Sequence, residues 1–447
     1  MRFGGWKKPR TVAVFGGMVV GVLAAAALLL SSNARGVSGW SSNSPAEPSP
    51  APPDTVSIEP GNDRNHALLA GLKAGPEAQL VTAYQALAEG QFETASQLSQ
   101  ALVAKYPNFA LGQLLRADLL ATRAGQPAAL GAPVNSASAA ETPGPRRLEA
   151  LRRLGALLDR PAEGLVPREF AQLAPEVHTA VAVDASRSRL YIFRNGPEGL
   201  RLTRDFYASV GQAGVSKHAE GDMRTPLGVY WIMGGLTADQ IRPIFGAGAM
   251  GLNYPNAWDR RQGRSGRGVY VHGVPDDTLA REPYSTDGCI ALSNTDYLAL
   301  AAEITVLQTP VVIAETLDWV TPAAAAEAAQ AIEPILAARN ASRSAHAGND
   351  ESAWHDANGT FESMTGYTRA PFKPTSVIGW FRDATPLLVV TGPQAADDPS
   401  RPPLVIRQYW TQREGQWRMV FEGPAPTAVK AEPPPVMKRP RSRQRRA

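Results

Sequence analysis

The longest unbroken apolar run in the chain comes first. Thr11 to Leu30 is twenty residues without a charge, and at 1.5 Å of rise per residue it makes roughly 30 Å of helix, the thickness of a bilayer's hydrocarbon core. Arg2, Lys7, Lys8 and Arg10 precede it. This pattern predicts a basic cytoplasmic end and transmembrane signal anchor over 1–35, with everything after it outside the membrane. A cleaved export peptide is the alternative, and Ser32-Asn33-Ala34 is its nearest, weak cleavage site. Residues 36–63 are Pro/Ser-rich and lack apolar periodicity, as in a semi-extended linker.

From 64 to 160 the period becomes helical. Ala83, Leu87, Ala95, Leu98, Ala101 and Leu102 recur near helical spacing, and Gly90 and Pro107 break the run into hairpins. A short basic helix is predicted over Arg146–Leu158. Gly90, Phe92, Ala95 and Pro107 give this stretch a weak resemblance to one tetratricopeptide repeat, with no second full repeat to make a solenoid. Two uses follow from the resemblance: a spacer hairpin, or a docking site for a protein partner.

Beyond Val177 the period shortens to strands. Residues 179–184, 189–194, 203–210, 228–233, 268–272 and 311–314 are rich in β-branched and aromatic residues, with turn residues between them. One helix is predicted over Asp296–Ile304. This mostly-β unit is placed at 175–316. An Ala-rich helix then opens a small α+β unit at 317–424, with strands at 378–382, 386–391, 404–413 and 416–421. Its last two strands alternate and are joined by Glu414-Gly415, a hairpin turn. The unit is weakly similar to SnoaL-like or nuclear-transport-factor-2-like domains. The fold class is therefore multidomain: a mostly-β domain between an anchored α-helical region and an α+β domain.

Charge changes the picture only at the ends. Net charge is +4, but ten of the 45 Lys and Arg lie in residues 1–10 and 437–447. The body between is mildly acidic, which excludes a nucleic-acid-binding core. The basic tail, 425–447, is either a solvated disordered end or a contact for anionic lipid or wall polymer. The single cysteine, Cys289, excludes an internal disulfide framework and a Cys-based zinc cluster. His66, His178, His218, His346 and His355 show no metal-ligand spacing.

The chemistry concentrates at 217–294. Cys289 follows Gly288 in a turn, and His272 ends an apolar strand seventeen residues earlier. A thiol becomes a nucleophile through a base or a positive neighbour, and a strand ending in His272 can deliver that base. Gly288 permits close approach, and backbone N–H groups after the cysteine can form an oxyanion hole. Asp222, Thr225 and Pro226 read first as a structural turn.

These residues resemble the L,D-transpeptidase catalytic domain, the YkuD-like family. Cys289 matches the family nucleophile, Gly288 its neighbour, His272 the upstream base and Asn294 the trailing Asn. Lys217, Gly221-Asp222, Thr225-Pro226 and Gly228 match the upstream blocks. Two positions depart: Asp287 stands in place of a second His, and Ala291 in place of an Arg. Beside a thiol Asp287 raises its pKa, unless it orients the His272 imidazolium as a triad carboxylate does. Arg224 is the candidate to bind a substrate carboxylate where the family Arg is missing, with Asn294 and Gly273 beside it.

The resemblance implies a cysteine acyltransferase acting on peptidoglycan stem peptides, anchored in a bacterial inner membrane with its catalytic domain in the periplasm. No metal or organic cofactor is implied. Carboxypeptidase or amidase action on the same substrates, and a catalytically silent wall-binding scaffold, are the alternatives.

Overall fold

The computed structural model describes residues 75–125, 145–158, 160–236, 240–279, 281–345, 372–381, 386–396, 398, 400 and 402–425. The expected anchor over 1–35, the linker and the basic tail lie outside the described residues. Among the described residues no helix is long and apolar enough to cross a membrane. The chain divides into two compact units, before and after Leu158.

The first unit is helical: α1 (Pro76–Ala88), α2 (Phe92–Lys105), α3 (Ala110–Arg123) and α4 (Pro145–Leu158). Pro76 opens α1, where its missing N–H costs nothing. Gly90 ends the first turn region in the left-handed conformation, at φ 76°. Leu80, Ala83, Ala95, Leu102, Leu111, Leu115 and Leu119 form its core. Gly112 lets α3 approach the Leu102 side chain closely. Ala101, one of the expected apolar positions, faces outward. Its neighbour Leu102 takes the buried position on that turn of the helix.

The second unit begins with β1 (Val166–Pro167), β2 (Phe170–Gln172), β3 (Thr179–Asp184), β4 (Arg189–Gly196), β5 (Gly199–Tyr207), β6 (Val210–Gly211), β7 (Gly228–Gly235) and β8 (Ala249–Leu252). It continues through α5 (Ala257–Arg261), β9 (Tyr270–His272), β10 (Tyr284–Thr286), β11 (Ile290–Ala291), α6 (Asn294–Ala301), β12 (Pro310–Ala314) and β13 (Trp319–Val320). The last elements are α7 (Pro322–Ala345), β14 (Ser376–Trp380), β15 (Leu387–Gln394), β16 (Leu404–Arg413) and β17 (Gln416–Pro424). Eight strands form one sheet in the order β11-β9-β8-β7-β12-β3-β4-β5, and five form a second in the order β17-β16-β15-β14-β2.

Strand alternation sends every second side chain to opposite faces. On the large sheet Val181, Val183, Leu190, Ile192, Tyr230 and Ile232 pack on one side with Tyr297 and Leu300 of α6. Their neighbours Ala180, Ala182, Tyr191, Phe193, Val229 and Trp231 pack on the other side against Ile378, Trp380, Leu387, Val389 and Tyr409 of the five-stranded sheet. That sheet's far face, with Leu388, Val390, Ile406 and Trp410, takes Ile332 and Leu336 of α7. The second unit is thus four layers: α6, sheet, sheet, α7.

The helix and antiparallel strands expected at 317–424 are present, but no boundary at 316 separates them from what precedes. Residues 317–424 share a core with 175–316, and their sheet takes a strand from residues 170–172, pairing Val377 with Gln172 and Ile378 with Phe170. In that shared core Arg407 is buried and stacks on the Trp231 ring at 3.6 Å.

Candidate active site

The site is built by three neighbouring strands. β9 pairs with β11 in parallel, Val271 opposite Ile290 and His272 opposite Ala291. β8 flanks β9 on its other side, with Ala249 opposite His272. Extending the β9–β11 register by one residue places Cys289 opposite Tyr270. Opposed residues share a face, so Cys289, Tyr270, His272 and Ala249 point the same way while Val271 and Ile290 enter the core on the other side. Cys289 accordingly packs with Phe245, Ala249 and Tyr270, and the Phe245 ring meets the His272 ring edge-on at 5.0 Å.

His272 is 2% exposed. Its Nδ1 lies 2.5 Å from the Gly273 carbonyl oxygen. A carbonyl only accepts, so Nδ1 carries the proton and Nε2 is left as the basic nitrogen. Burial lowers the imidazole pKa to about 4; the Gly273 contact opposes this, and Arg281 and Arg242 add to it. Cys289 is part-buried, and its Sγ–H donates to the Gly268 carbonyl at 3.6 Å. Burial pushes the thiol up to about 11, with Asp287 acting in the same direction and the Tyr270 amide, Lys217 and Arg242 against it. At neutral pH the pair is therefore a neutral thiol and a neutral imidazole rather than a standing ion pair.

Asp287 does not orient His272. Its carboxylate accepts a hydrogen bond from Gln212 Nε2 at 3.3 Å, and among the described residues no contact joins it to the imidazole. Its effect on the site is the repulsion of a Cys289 thiolate. Gly288 holds φ 117°, and a Cβ there would run into the Arg224 carbonyl. Glycine is required at 288 for this backbone contact; its part in the chemistry is to seat the cysteine.

Asn294 and Gly273 are likewise a built joint. Asn294 Oδ1 accepts from the Ala247 and Val274 amides, both at 3.0 Å, and Gly273 leaves no room for a Cβ between Asn294 and the 245–247 backbone. With its oxygen occupied twice, Asn294 ties two loops together and positions Phe245 over His272. Arg224 is exposed, donates from Nη1 to the Val215 carbonyl at 2.9 Å, and lines a pocket whose walls contain neither Cys289 nor His272. The buried side chain at Ala291 is 1% exposed.

The upstream turn is a clamp. Lys217 Nζ donates to Asp222 Oδ1 at 2.7 Å, and the amides of His218, Ala219 and Arg224 donate to the same carboxylate. Burial pushes the Asp222 carboxyl up, but these four donors outweigh it and hold it at about 2. Thr225 continues the scaffold: its Oγ1 accepts from the Gly211 amide at 2.9 Å and donates to the Cys289 carbonyl at 3.5 Å.

Arg242, Arg281, Phe245 and the Tyr270 amide belong to the site and escape a reading of spacing. Arg242 sits over the Phe245 ring at 5.3 Å. The Arg281 carbonyl accepts from Tyr207 Oη and Ser209 Oγ, each at 3.0 Å, and Ser209 is itself bridged to Ala291. Arg242 and Phe245 come from a 3-10 turn at 242–245 and Arg281 from a loop; only Tyr270 is placed by β-pairing, and no local pattern announces any of them. Among the described residues no group of three or more His, Cys, Asp or Glu side chains converges to hold a metal.

A buried imidazole with one nitrogen pinned, on the strand next to a thiol and on the same face, is an arrangement with the groups that nucleophilic cysteine chemistry needs. Residues 178–313 match the family model YkuD, the L,D-transpeptidase catalytic domain. Similar solved structures include Bd1075 of Bdellovibrio bacteriovorus, at 19% identity and TM-score 0.47 over 59% of this chain and 99% of that one. The helical cell shape determining protein Pgp2 of Campylobacter jejuni is similar at 17% identity and TM-score 0.41, over 59% of this chain and 95% of that one. No curated protein matches the chain.

Proposed function

We propose that this chain is a peptidoglycan L,D-transpeptidase that works through a Cys289 acyl-enzyme on stem peptides, in cross-linking or remodelling of the wall. The observation that carries the reading is the Cys289/His272 pair: one face, adjacent strands, Nδ1 committed to Gly273 and Nε2 open.

The step follows from the two neutral groups. Cys289 Sγ attacks the peptide carbonyl carbon as its proton passes to His272 Nε2. The C–N bond of the tetrahedral intermediate then breaks, and the imidazolium returns its proton to the leaving amine. A thioester remains on Cys289. An amine of a second stem attacks it to give the cross-link, or water attacks it to give the free acid; either nucleophile returns the thiol. Proton transfer within the attack removes the need for a thiolate in the resting enzyme.

We further infer, from the basic stretch before Thr11–Leu30, that the chain is held in the inner membrane with this domain in the periplasm. Recovery of peptides covering 2–10 from the membrane-bound protein is expected; a mature N-terminus near Arg35 contradicts anchoring.

Incubation of the intact protein with defined tetrapeptide muropeptides, read by mass, tests the function. A 3→3 linked dimer supports transpeptidation, and a tripeptide alone identifies a carboxypeptidase. No product and no stoichiometric carbapenem adduct on Cys289 would identify a silent wall-binding scaffold.

A further inference from the structure

A pocket of about 360 Å³ opens beside the nucleophile loop, lined among others by Gln212, Ser216, Arg224, Tyr284 and Glu315. Its walls carry one cation and one anion with no ion pair between them. Arg224 spends one N–H on the Val215 carbonyl, which leaves the rest of a five-donor fork for a ligand. The Glu315 backbone is fixed by the Ser186 amide at 2.7 Å, and its carboxylate has no partner among the described residues. A space walled by both charges is matched by a ligand that carries both.

The pocket is rigidly coupled to Cys289. The Arg224 carbonyl lies against Gly288, where a Cβ would collide with it. Gln212 Nε2 bonds Asp287, and β6 and β10, which lead into the two loops, pair with each other in parallel. Thr225, next to Arg224, bonds the Cys289 carbonyl. The wall of the pocket and the turn that seats the thiol are thus one piece of backbone.

We propose that this pocket is a binding site for a zwitterionic amino-acid centre, an ammonium and a carboxylate on one carbon, with Arg224 taking the carboxylate and Glu315 the ammonium. At about 360 Å³ the pocket is at the small end of ligand sites, with room for an amino-acid centre and part of the chain that bears it. The inference rests on the proposed function only for its use: there, the site anchors a charged amino-acid centre of the substrate beside the thiol, and the amine that accepts the acyl group is a different one.

Binding is tested apart from turnover, in the intact chain carrying Cys289→Ala, with D-alanine as probe and ethylamine and propionate as single-charge controls. Calorimetry or ligand-observed NMR is expected to show D-alanine binding at least roughly tenfold more tightly than either control. Arg224→Ala and Glu315→Gln are each expected to weaken it by a similar factor, as for the loss of one charge-assisted contact. Glu315→Gln keeps the shape of an exposed side chain, so its folding is not in question. No binding of D-alanine, equal binding of ethylamine or propionate, or affinity unmoved by both substitutions overturns the site. Because the protein tested lacks the thiol, none of these outcomes bears on acylation of Cys289, which the carbapenem adduct reads separately.

Discussion

Burial holds the Cys289 thiol at about 11 and His272 at about 4, and the expectations for these two residues and Asp287 follow from that separation. Alkylation of Cys289 should climb about tenfold per pH unit from 7 to 9, since only the thiolate reacts; a plateau below pH 8 contradicts a neutral thiol. Asp287→Asn removes the neighbouring negative charge, lowers the thiol pKa and should accelerate alkylation at pH 7. Slower alkylation in that variant would restore the triad-like role for Asp287. His272→Ala should leave the alkylation profile near wild type yet slow acylation by ~10²-fold or more, the scale of a lost general base. Asp222 supplies a pH dependence of stability. Its folded pKa is about 2, below the ordinary 3.8, so its contribution is complete above the ordinary value and is lost as pH falls through about 2. Asp222→Asn should therefore cost up to about 2 kcal/mol at pH 7, and the two melting temperatures should converge toward pH 2.

At the scale of elements, the contact between the 288 and 224 backbones is the most exacting in the site. Gly288→Ala combines a left-handed φ with a Cβ set against a carbonyl. It should lower stability by about 1–3 kcal/mol and displace Cys289, seen as lost carbapenem adduct in protein that still folds. The apolar strand 179–184, buried throughout, and the alternating strand 404–413 were legible in the sequence, as was the Glu414-Gly415 hairpin, whose two residues have φ 52° and 76°. The two-residue strands β1, β6, β11 and β13 were not, because two residues have no period. Cys289 and His272 were singled out by motif and resemblance, and strand pairing sets them on one face. The roles given to Asp287 and Asn294 were misread for one physical reason: spacing along the chain says nothing about which partner a polar side chain meets across a strand. Gln212 and the Ala247 and Val274 amides are those partners, and they come from elsewhere in the chain.

For the second unit as a whole, the two sheets stabilise each other through one core. Phe193, Val229 and Trp231 on one side meet Ile378, Trp380, Val389 and Tyr409 on the other. A chain ending at Thr316 exposes that face, and each large apolar side chain so exposed forfeits roughly 1.5–3 kcal/mol. Several such losses exceed the stability of an ordinary domain. The shortened protein should be aggregated or proteolysed, while in the full chain the second unit melts as one transition; a monomeric, folded 160–316 fragment would show that the shared core is dispensable.

The pairing of β2 with β14 also orders events in time. Residues 170–172 leave the ribosome about two hundred residues before residues 377–378, their partners in the register. Until then β2 has no partner in its sheet, since the other four strands, β14 to β17, all come later in the chain. Closing so long a loop is slow but adds little cost per extra residue, so this pairing is expected late. A chain cut short between Ala345 and Ser376 carries Cys289 and His272 complete in sequence yet never receives the layer that covers Trp231. The join of β2 with β14 thus makes completion of this unit wait on its late strands: the face around Trp231 is covered only once residues 378–409 have been made.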